Sequence, residues 1–254
     1  QVPFPAPPSD ELAAIIIDSL NPNVKVLVVD HVSSATALIF PIKELINACR
    51  ERGILSIVDG AHAPGMLPFD SWDAYPDWYV GNLHKWVCAP LGAAFLWTSE
   101  NHRSQTHPLT ISHFLDHSYI EEFDWQGTKD ISPWLTVFDA IQRMTPEQWH
   151  LQMQDNHNLA IEFEQIWLSQ FPVHSMYATE EQFGSMVTVH LPVTGISTSD
   201  EASAFQYSLY TEHKVEIPVF LFENALYTRL SAQDYVKKEW CCDLIEIINS
   251  LKVS

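Results

Sequence analysis

Basic residues are scarce in this chain of 254 residues. It has 13 lysines and arginines against 32 acidic residues, which gives a formal net charge of −19 at pH 7. The sequence holds no cluster of lysine and arginine that could follow a phosphate backbone, so nucleic acid is excluded as an expected partner. The acidic residues are spread along the chain, which is typical of a solvated surface.

Long apolar runs and an export signal are also missing. No run approaches the roughly 20 apolar residues that a membrane-spanning helix needs, and the start, QVPFPAPPSD, has neither a basic nor an apolar signal segment. The four cysteines include an adjacent pair and show no metal-ligand spacing. We therefore expect a protein without membrane contact, in a reducing compartment, with the cytoplasm as the default location.

Short β-branched runs alternate with helical patterns in the first half of the chain. This alternation is typical of a mainly parallel sheet with covering helices. The helix pattern FPIKELINACRERG carries an apolar stripe that includes Leu45 and Cys49, and Gly53 can close it. Strands are predicted at VKVLVVD (24–30), which reads as buried on both faces, and at ILSIVD (54–59), DWYVGN (77–82) and GAAFLW (92–97).

The second half of the chain predicts a different architecture. A helical pattern from about residue 146 to 169 is long enough to link two domains. Strand-like SMVTVHL and LYTRLS follow, and then helix-like AQDYVKKEWCCDLIEIINSL. We expect an α/β protein with a large-domain portion over 1–145, then the linking helix and a small α+β C-terminal domain over 146–254.

Polar residues end three of the predicted strands, where chemistry gathers in sheets of this type. Asp59 ends the second strand, and Lys85 follows the third. A lysine that forms an imine with an aldehyde, and a carboxylate that keeps a pyridine nitrogen protonated, are the groups that pyridoxal phosphate chemistry requires. Each residue alone would read as a solvent-facing strand end. The stretch HFLDH (113–117) has helical histidine spacing but no third ligand, so no metal site is predicted.

Six blocks of sequence occur together in a matching order. They are DHVSSATALIFPIKELI, SIVDGAHAPG, GNLHKWVCAPLGAAFLW, PLTISHF, EEFDWQGTKDIS and RLSAQDY. The chain resembles the class V aminotransferase-fold enzymes, especially the isopenicillin N epimerase-like branch, from about residue 2 to 251. The resemblance implies fold type I, pyridoxal 5'-phosphate as cofactor and an amino acid as substrate. Members usually carry a further N-terminal portion, which supplies a Gly-rich phosphate loop and the group that stacks on the cofactor.

The resemblance also implies residue roles. Lys85 would hold the cofactor as an imine, Asp59 would pair with the pyridinium nitrogen, and Arg229 would bind the substrate α-carboxylate. His31 is a second candidate substrate contact, for which a loop histidine without ligand contact is the equal alternative. The remaining implied cofactor contacts are His62 and Ser34 near the phenolic oxygen, and Asn82, His84, Gly127 and Thr128 near the phosphate.

The implied assembly is a homodimer, in which Thr128 serves the neighbouring site. The implied reaction is proton transfer at the α-carbon, as in an epimerase or racemase, with Lys85, Asp59 and His62 as catalytic residues. A C–S lyase of the same family is the alternative, and a truncated, non-catalytic paralogue is a third reading. The stretch from about residue 212 to 229 contains no cysteine, which disfavours a desulfurase that works through an enzyme persulfide. Departures such as Phe114, where many relatives have glycine, leave the substrate open.

Overall fold

The computed structural model describes residues 2–69 and 74–251 of the chain. Short 3-10 turns cover Glu100–Gln105 and Glu180–Gln182. The α-helices within these ranges are α1 (Ser9–Ser19), α2 (Ile42–Arg52), α3 (Tyr119–Asp124), α4 (Ser132–Leu135), α5 (Val137–Gln142), α6 (Pro146–Gln170), α7 (Ser199–His213) and α8 (Glu239–Leu251). The strands are β1 (Val26–Asp30), β2 (Leu55–Asp59), β3 (Trp78–Asn82), β4 (Ala94–Thr98), β5 (Met186–His190), β6 (Val219–Phe222) and β7 (Ala225–Ser231).

The chain divides into two compact units. The first unit comprises residues 13–31 and 41–145, and the second comprises residues 2–12, 32–40 and 146–251. Residue 146 opens the last segment of the second unit, where the sequence places a domain boundary. The segments 2–12 and 32–40 cluster with that later part of the chain, so the functional division into 1–145 and 146–254 stays a prediction.

The first unit is built on a four-stranded sheet with the order β1-β2-β3-β4. Strands β1, β2 and β3 are parallel to one another, and β4 is antiparallel to β3. The register aligns Asp30 with Asp59 and Asp59 with Val80, so the carboxyl ends of the three parallel strands lie side by side. The predicted α/β class with a parallel sheet is confirmed.

The two faces of this sheet differ in burial. Val58 and Tyr79, neighbours on one face, are 0% and 1% exposed. Val28 pairs with Ile57, so its side chain lies on the opposite face of the sheet, where it is 66% exposed. The prediction that the first strand is buried on both faces is therefore wrong. The run is apolar enough for two covered faces, but β1 is an edge strand of the described sheet and Val26 and Val28 lie open on its surface.

Helix α2 follows its sequence pattern. The side chains of Ile42, Leu45, Ile46 and Cys49 are all buried, as the apolar stripe predicts. Gly53 adopts a left-handed conformation with φ of 65°, and its N–H donates to the carbonyl of Arg50 at 3.3 Å. A residue with a side chain would be strained there, so glycine ends the helix and turns the chain into β2.

The second unit contains an antiparallel sheet with the order β5-β7-β6. Helix α6 agrees with the predicted long helix, whereas the predicted helix at residue 232 begins only at Glu239. The reason lies at Gln233, whose buried side-chain oxygen accepts hydrogen bonds from Gln152, Asn156 and the N–H of Asp234. These bonds hold the chain at residues 233 and 234 in an irregular conformation. Within the described ranges, no helix combines the length and the apolar character needed to cross a bilayer.

The difference between the sheet faces gives a matched pair of substitutions. Val58→Ala removes buried methyl groups, and we expect it to lower the free energy of unfolding by about 2 kcal/mol. Val28→Ala removes the same groups from an exposed position, so the expected loss is below about 0.5 kcal/mol. Urea denaturation of both variants of this chain measures the two values. Equal losses would show that the face carrying Val28 is covered in solution.

Candidate active site

The carboxyl ends of β1, β2 and β3 carry three polar side chains. Asp30, Asp59 and Asn82 are the last residues of these strands. Asp30 and Asp59 are direct neighbours in the parallel register. Burial and the nearby charge of Asp59 both raise the pKa of the Asp30 carboxyl. The strand ends therefore form a region of negative potential, which favours a cationic group.

The loop after β2 is held by hydrogen bonds from its neighbours. One Asp59 carboxylate oxygen accepts from the N–H of Ala61 at 2.9 Å. The carbonyl of Asp59 accepts from the N–H of His31 at 2.7 Å, and the N–H of Gly60 donates to the carbonyl of Val80 at 2.8 Å. These bonds fix both the backbone and the carboxylate of Asp59.

Gly60 makes this loop possible. A Cβ atom at position 60 would lie 1.9 Å from the hydroxyl oxygen of Tyr79, so no other residue fits without displacing the tyrosine. Tyr79 is buried, and its pKa is raised by burial and by the charge of Asp59. Its phenol therefore stays protonated under the loop. Gly60 is part of the block SIVDGAHAPG, but no pattern in the sequence predicted its contact with Tyr79.

Lys85 and His62 meet at the centre of the candidate site. The distance from Lys85 Nζ to His62 Nε2 is 3.1 Å, and His62 is 7% exposed. Lys85 follows β3, whereas His62 lies on the loop after β2, so the contact joins two loops. A lysine ammonium can only donate, and Nε2 of His62 is therefore the acceptor. The two predicted catalytic residues can pass a proton directly between them.

The ring of His84 has a defined orientation. Its Nδ1 lies 3.0 Å from the carbonyl oxygen of Ala93, and a carbonyl only accepts, so Nδ1 carries the proton. This arrangement leaves Nε2 for another partner. Asn82 is half-buried at the end of β3. The two residues lie on the same chain segment as Lys85, and their phosphate contacts, which the family resemblance implies, stay a prediction.

His31 lies inside the first unit. It is 7% exposed, and its Nδ1 is 3.0 Å from the hydroxyl of Tyr79. Burial lowers the pKa of its imidazole to about 4. The ring is therefore neutral at pH 7 and packs edge-on against Tyr79. This placement favours a role in supporting the end of β1, and the predicted substrate contact of His31 stays untested.

Arg229 and Ser34 meet in the second unit. Nη1 of Arg229 donates to the carbonyl of Ser34 and lies 3.3 Å from its hydroxyl. Burial lowers the pKa of the guanidinium. Among residues 2–69 and 74–251, Arg229 forms no ion pair, and its buried Nε has no acceptor. Its positive charge is thus paired only with neutral oxygens, which suits a carboxylate ligand.

Gly127 and Thr128 follow α3 in the first unit. Gly127 has a left-handed φ of 98°, and Thr128 is exposed. Their predicted phosphate contact in a neighbouring subunit stays a prediction. A search of the described residues finds no group of three or more His, Cys, Asp or Glu side chains that could hold a metal ion.

The burial of His31 makes stability depend on pH in a defined direction. The folded state holds the imidazole with a pKa of about 4, below its ordinary value of 6.5, so between these values the unfolded chain binds more protons. The contribution of His31 is therefore complete above pH 6.5 and falls by about 3 kcal/mol as the pH approaches 4.

Urea denaturation from pH 7 to pH 4.5 measures this contribution as the difference between the unchanged chain and His31→Asn. Asparagine keeps a polar atom near the position of Nδ1 but does not titrate. We expect the two stability profiles to converge as the pH falls. Parallel profiles would contradict the low pKa of His31.

Comparisons with known proteins agree with these observations. The family model for Aminotransferase class-V matches residues 10–208. An L-cysteine desulfhydrase of Arabidopsis thaliana is 29% identical over 87% of this chain and 51% of that protein. An isopenicillin N epimerase of Streptomyces clavuligerus is 27% identical over 98% of this chain and 66% of that protein.

The fold has a counterpart among solved structures. The apo structure of a cysteine desulfurase from Thermococcus onnurineus NA1 has a TM-score of 0.72 at 18% identity, and covers 96% of this chain and 62% of that one. The chain spans about half to two thirds of the length of the proteins named above. Because the family model matches well over half of its residues, the chain belongs to the class-V aminotransferase family.

Proposed function

We propose that this chain is a pyridoxal 5'-phosphate-dependent enzyme, or the greater part of one, that acts on an amino acid at its α-carbon. The contact between Lys85 and His62, 3.1 Å apart, is the observation that carries the proposal. The free amine of a lysine is the form that attacks an aldehyde, and His62 Nε2 lies within hydrogen-bond distance of that amine. Asp59 ends the strand from which the His62 loop departs.

The residues present fit the cofactor. Asp59 supplies a fixed carboxylate for a protonated ring nitrogen, and the neighbouring Asp30 adds to the negative potential. His84 presents Nε2 to a phosphate because its Nδ1 is used by Ala93. When bound, the cofactor accepts the electron pair that the α-carbon releases. We assign four further contacts to the cofactor: Asn82, Gly127, Thr128 and Ser34.

Proton transfer falls to the lysine and the histidine. Lys85 Nζ takes a proton from the α-carbon and returns it, and His62 Nε2 holds the amine in place and shares the proton. Arg229 binds the α-carboxylate, since its guanidinium has no carboxylate partner among the described residues. Asp59 would pair with the ring nitrogen of the cofactor, and its carboxylate is oriented by the N–H of Ala61.

An epimerase or racemase reaction is our first proposal, and C–S bond cleavage is the second. Both begin with removal of the α-proton. The isopenicillin N epimerase relative supports the first, and the L-cysteine desulfhydrase relative supports the second. We propose a homodimer, which the family resemblance implies, and a cytoplasmic location, which the cysteine content favours. Because the chain spans only part of its relatives, a non-catalytic paralogue is the third candidate.

Product analysis tests the proposal. The chain is incubated in D2O with pyridoxal phosphate and, separately, L-alanine and L-cysteine. An epimerase or racemase incorporates deuterium at Cα and yields the D-enantiomer. A C–S lyase releases sulfide, ammonia and pyruvate from L-cysteine. We expect either activity to fall by a factor on the order of 1,000 or more in Lys85→Arg, which keeps the charge but cannot carry the cofactor.

Two results would count against the proposal. Undiminished turnover by Lys85→Arg would remove Lys85 from the chemistry. The absence of exchange and of cleavage in the unchanged chain, with cofactor bound, would favour the non-catalytic paralogue. The cofactor-free mixture is the background control.

A further inference from the structure

Three consecutive backbone carbonyls in the second unit each accept a hydrogen bond from a side chain. Nη1 of Arg229 donates to the carbonyl of Ser34. Oγ1 of Thr188 donates to the carbonyl of Ala35 at 2.8 Å, and the hydroxyl of Tyr177 donates to the carbonyl of Thr36 at 2.7 Å. We call these three bonds the carbonyl clamp. Each residue of segment 34–36 is thus held by one side-chain hydrogen bond to its carbonyl.

The donors of the clamp form a connected, buried unit. Thr188 of β5 lies directly opposite Arg229 of β7 in the antiparallel register. The N–H of Thr188 donates to the hydroxyl oxygen of Tyr177 at 2.9 Å. Thr188 is 1% exposed and Tyr177 is 5% exposed. Burial raises the pKa of Tyr177, so its hydroxyl keeps its proton and remains a donor at neutral pH.

The clamped segment is part of a turn in which Ser34 and Ala35 are exposed, whereas Thr36 and Ala37 are buried. Val32 and Ile39 pair across its base, and the N–H of Ser33 donates to the carbonyl of Leu38 at 2.9 Å. Ala37 has a φ of 54°, a left-handed conformation that is unfavourable for a residue with a side chain. Interactions outside the turn must therefore help to keep its shape, and the clamp supplies three of them.

The turn and the guanidinium of Arg229 constrain each other. The same Nη1 atom contacts both the carbonyl and the hydroxyl of Ser34. If Ser34 moves, the guanidinium loses the only hydrogen-bond partner that it has among the described residues. The orientation of the positive charge is therefore set by the backbone of segment 34–36.

We propose that Thr188 and Tyr177 are positioning residues for substrate binding. By fixing segment 34–36, they hold the Arg229 guanidinium in one orientation for a carboxylate and hold Ser34 in place beside it. This inference rests on the proposed function, in which Arg229 binds the amino-acid carboxylate. It adds two residues that we expect to act through Arg229 and Ser34, and that no sequence motif singled out.

Matched substitutions at position 188 test the proposal. Thr188→Val keeps the shape of the side chain and removes the donor, whereas Thr188→Ser keeps the donor. Two quantities are measured: amide hydrogen exchange at residues 37–39 in the cofactor-free chain, and the affinity of the chain for L-alanine with pyridoxal phosphate bound. For Thr188→Val we expect faster exchange and affinity weaker by roughly 3- to 10-fold, as for one lost hydrogen bond. Thr188→Ser should stay within about 2-fold of the unchanged chain.

Tyr177→Phe removes a second donor of the clamp, together with the acceptor of the Thr188 N–H, and should act in the same direction. The proposal is overturned if either donor-removing variant speeds exchange at residues 37–39 but leaves the L-alanine affinity unchanged, because the clamp would then serve stability alone. It is also overturned if Thr188→Ser weakens affinity as much as Thr188→Val. Arg229→Ala tests the proposed carboxylate site separately from the positioning role of Thr188 and Tyr177. Unchanged L-alanine affinity in that variant would contradict the carboxylate site itself.

Discussion

The parallel pairing of β1, β2 and β3 is the constraint on which the candidate site depends. It places Asp30 beside Asp59 and aligns Asp59 with Val80, so that loops distant in sequence leave the sheet at one edge. A slip of one residue would send the Asp59 side chain to the opposite face. Two contacts support this register at the carboxyl end of β2. Gly60 leaves room for the Tyr79 hydroxyl, and the N–H of His31 donates to the Asp59 carbonyl.

The sequence was a good guide to features set by local patterns. The strand end at Asp59 and the loop that carries Lys85 after β3 could be identified because short apolar runs stop there, and Gly53 marked the end of α2. The exposed face of β1 was not predicted. An apolar sequence shows that a strand can be buried on both faces, but it does not show whether another element packs against each face. The late start of α8 was missed for a related reason: the Gln233 side chain before it accepts hydrogen bonds from Gln152 and Asn156, which are far away in sequence.

Side-chain contacts to distant backbone atoms were the hardest features to foresee. The carbonyl clamp joins residues 34–36 to three donors between 141 and 195 positions later, and no periodicity links them. The pair of His31 and Tyr79 is similar, because a histidine and a tyrosine 48 positions apart carry no local signal of contact. Such contacts decide which loop residues can move, and therefore which of them can orient a ligand.

The two units contribute different chemistry to the proposed enzyme. The first carries a lysine, an imidazole and a fixed carboxylate, which are the groups for a covalently held cofactor. The second carries a guanidinium without an acidic partner among the described residues, which is a group for a carboxylate. Neither set alone would describe an amino-acid enzyme, whereas the presence of both on one chain favours it over a binding module.

We propose that Lys85 bonds covalently to pyridoxal phosphate, and the other proposed roles depend on this bond. Its most direct test is to incubate the chain with the cofactor, reduce it with borohydride, which fixes a reversible bond between lysine and aldehyde, and map the modified peptide by mass spectrometry. We expect a pyridoxyl group on the peptide that contains Lys85 and none on that peptide in Lys85→Arg. A pyridoxyl group on a different lysine, with Lys85 unmodified, would contradict it.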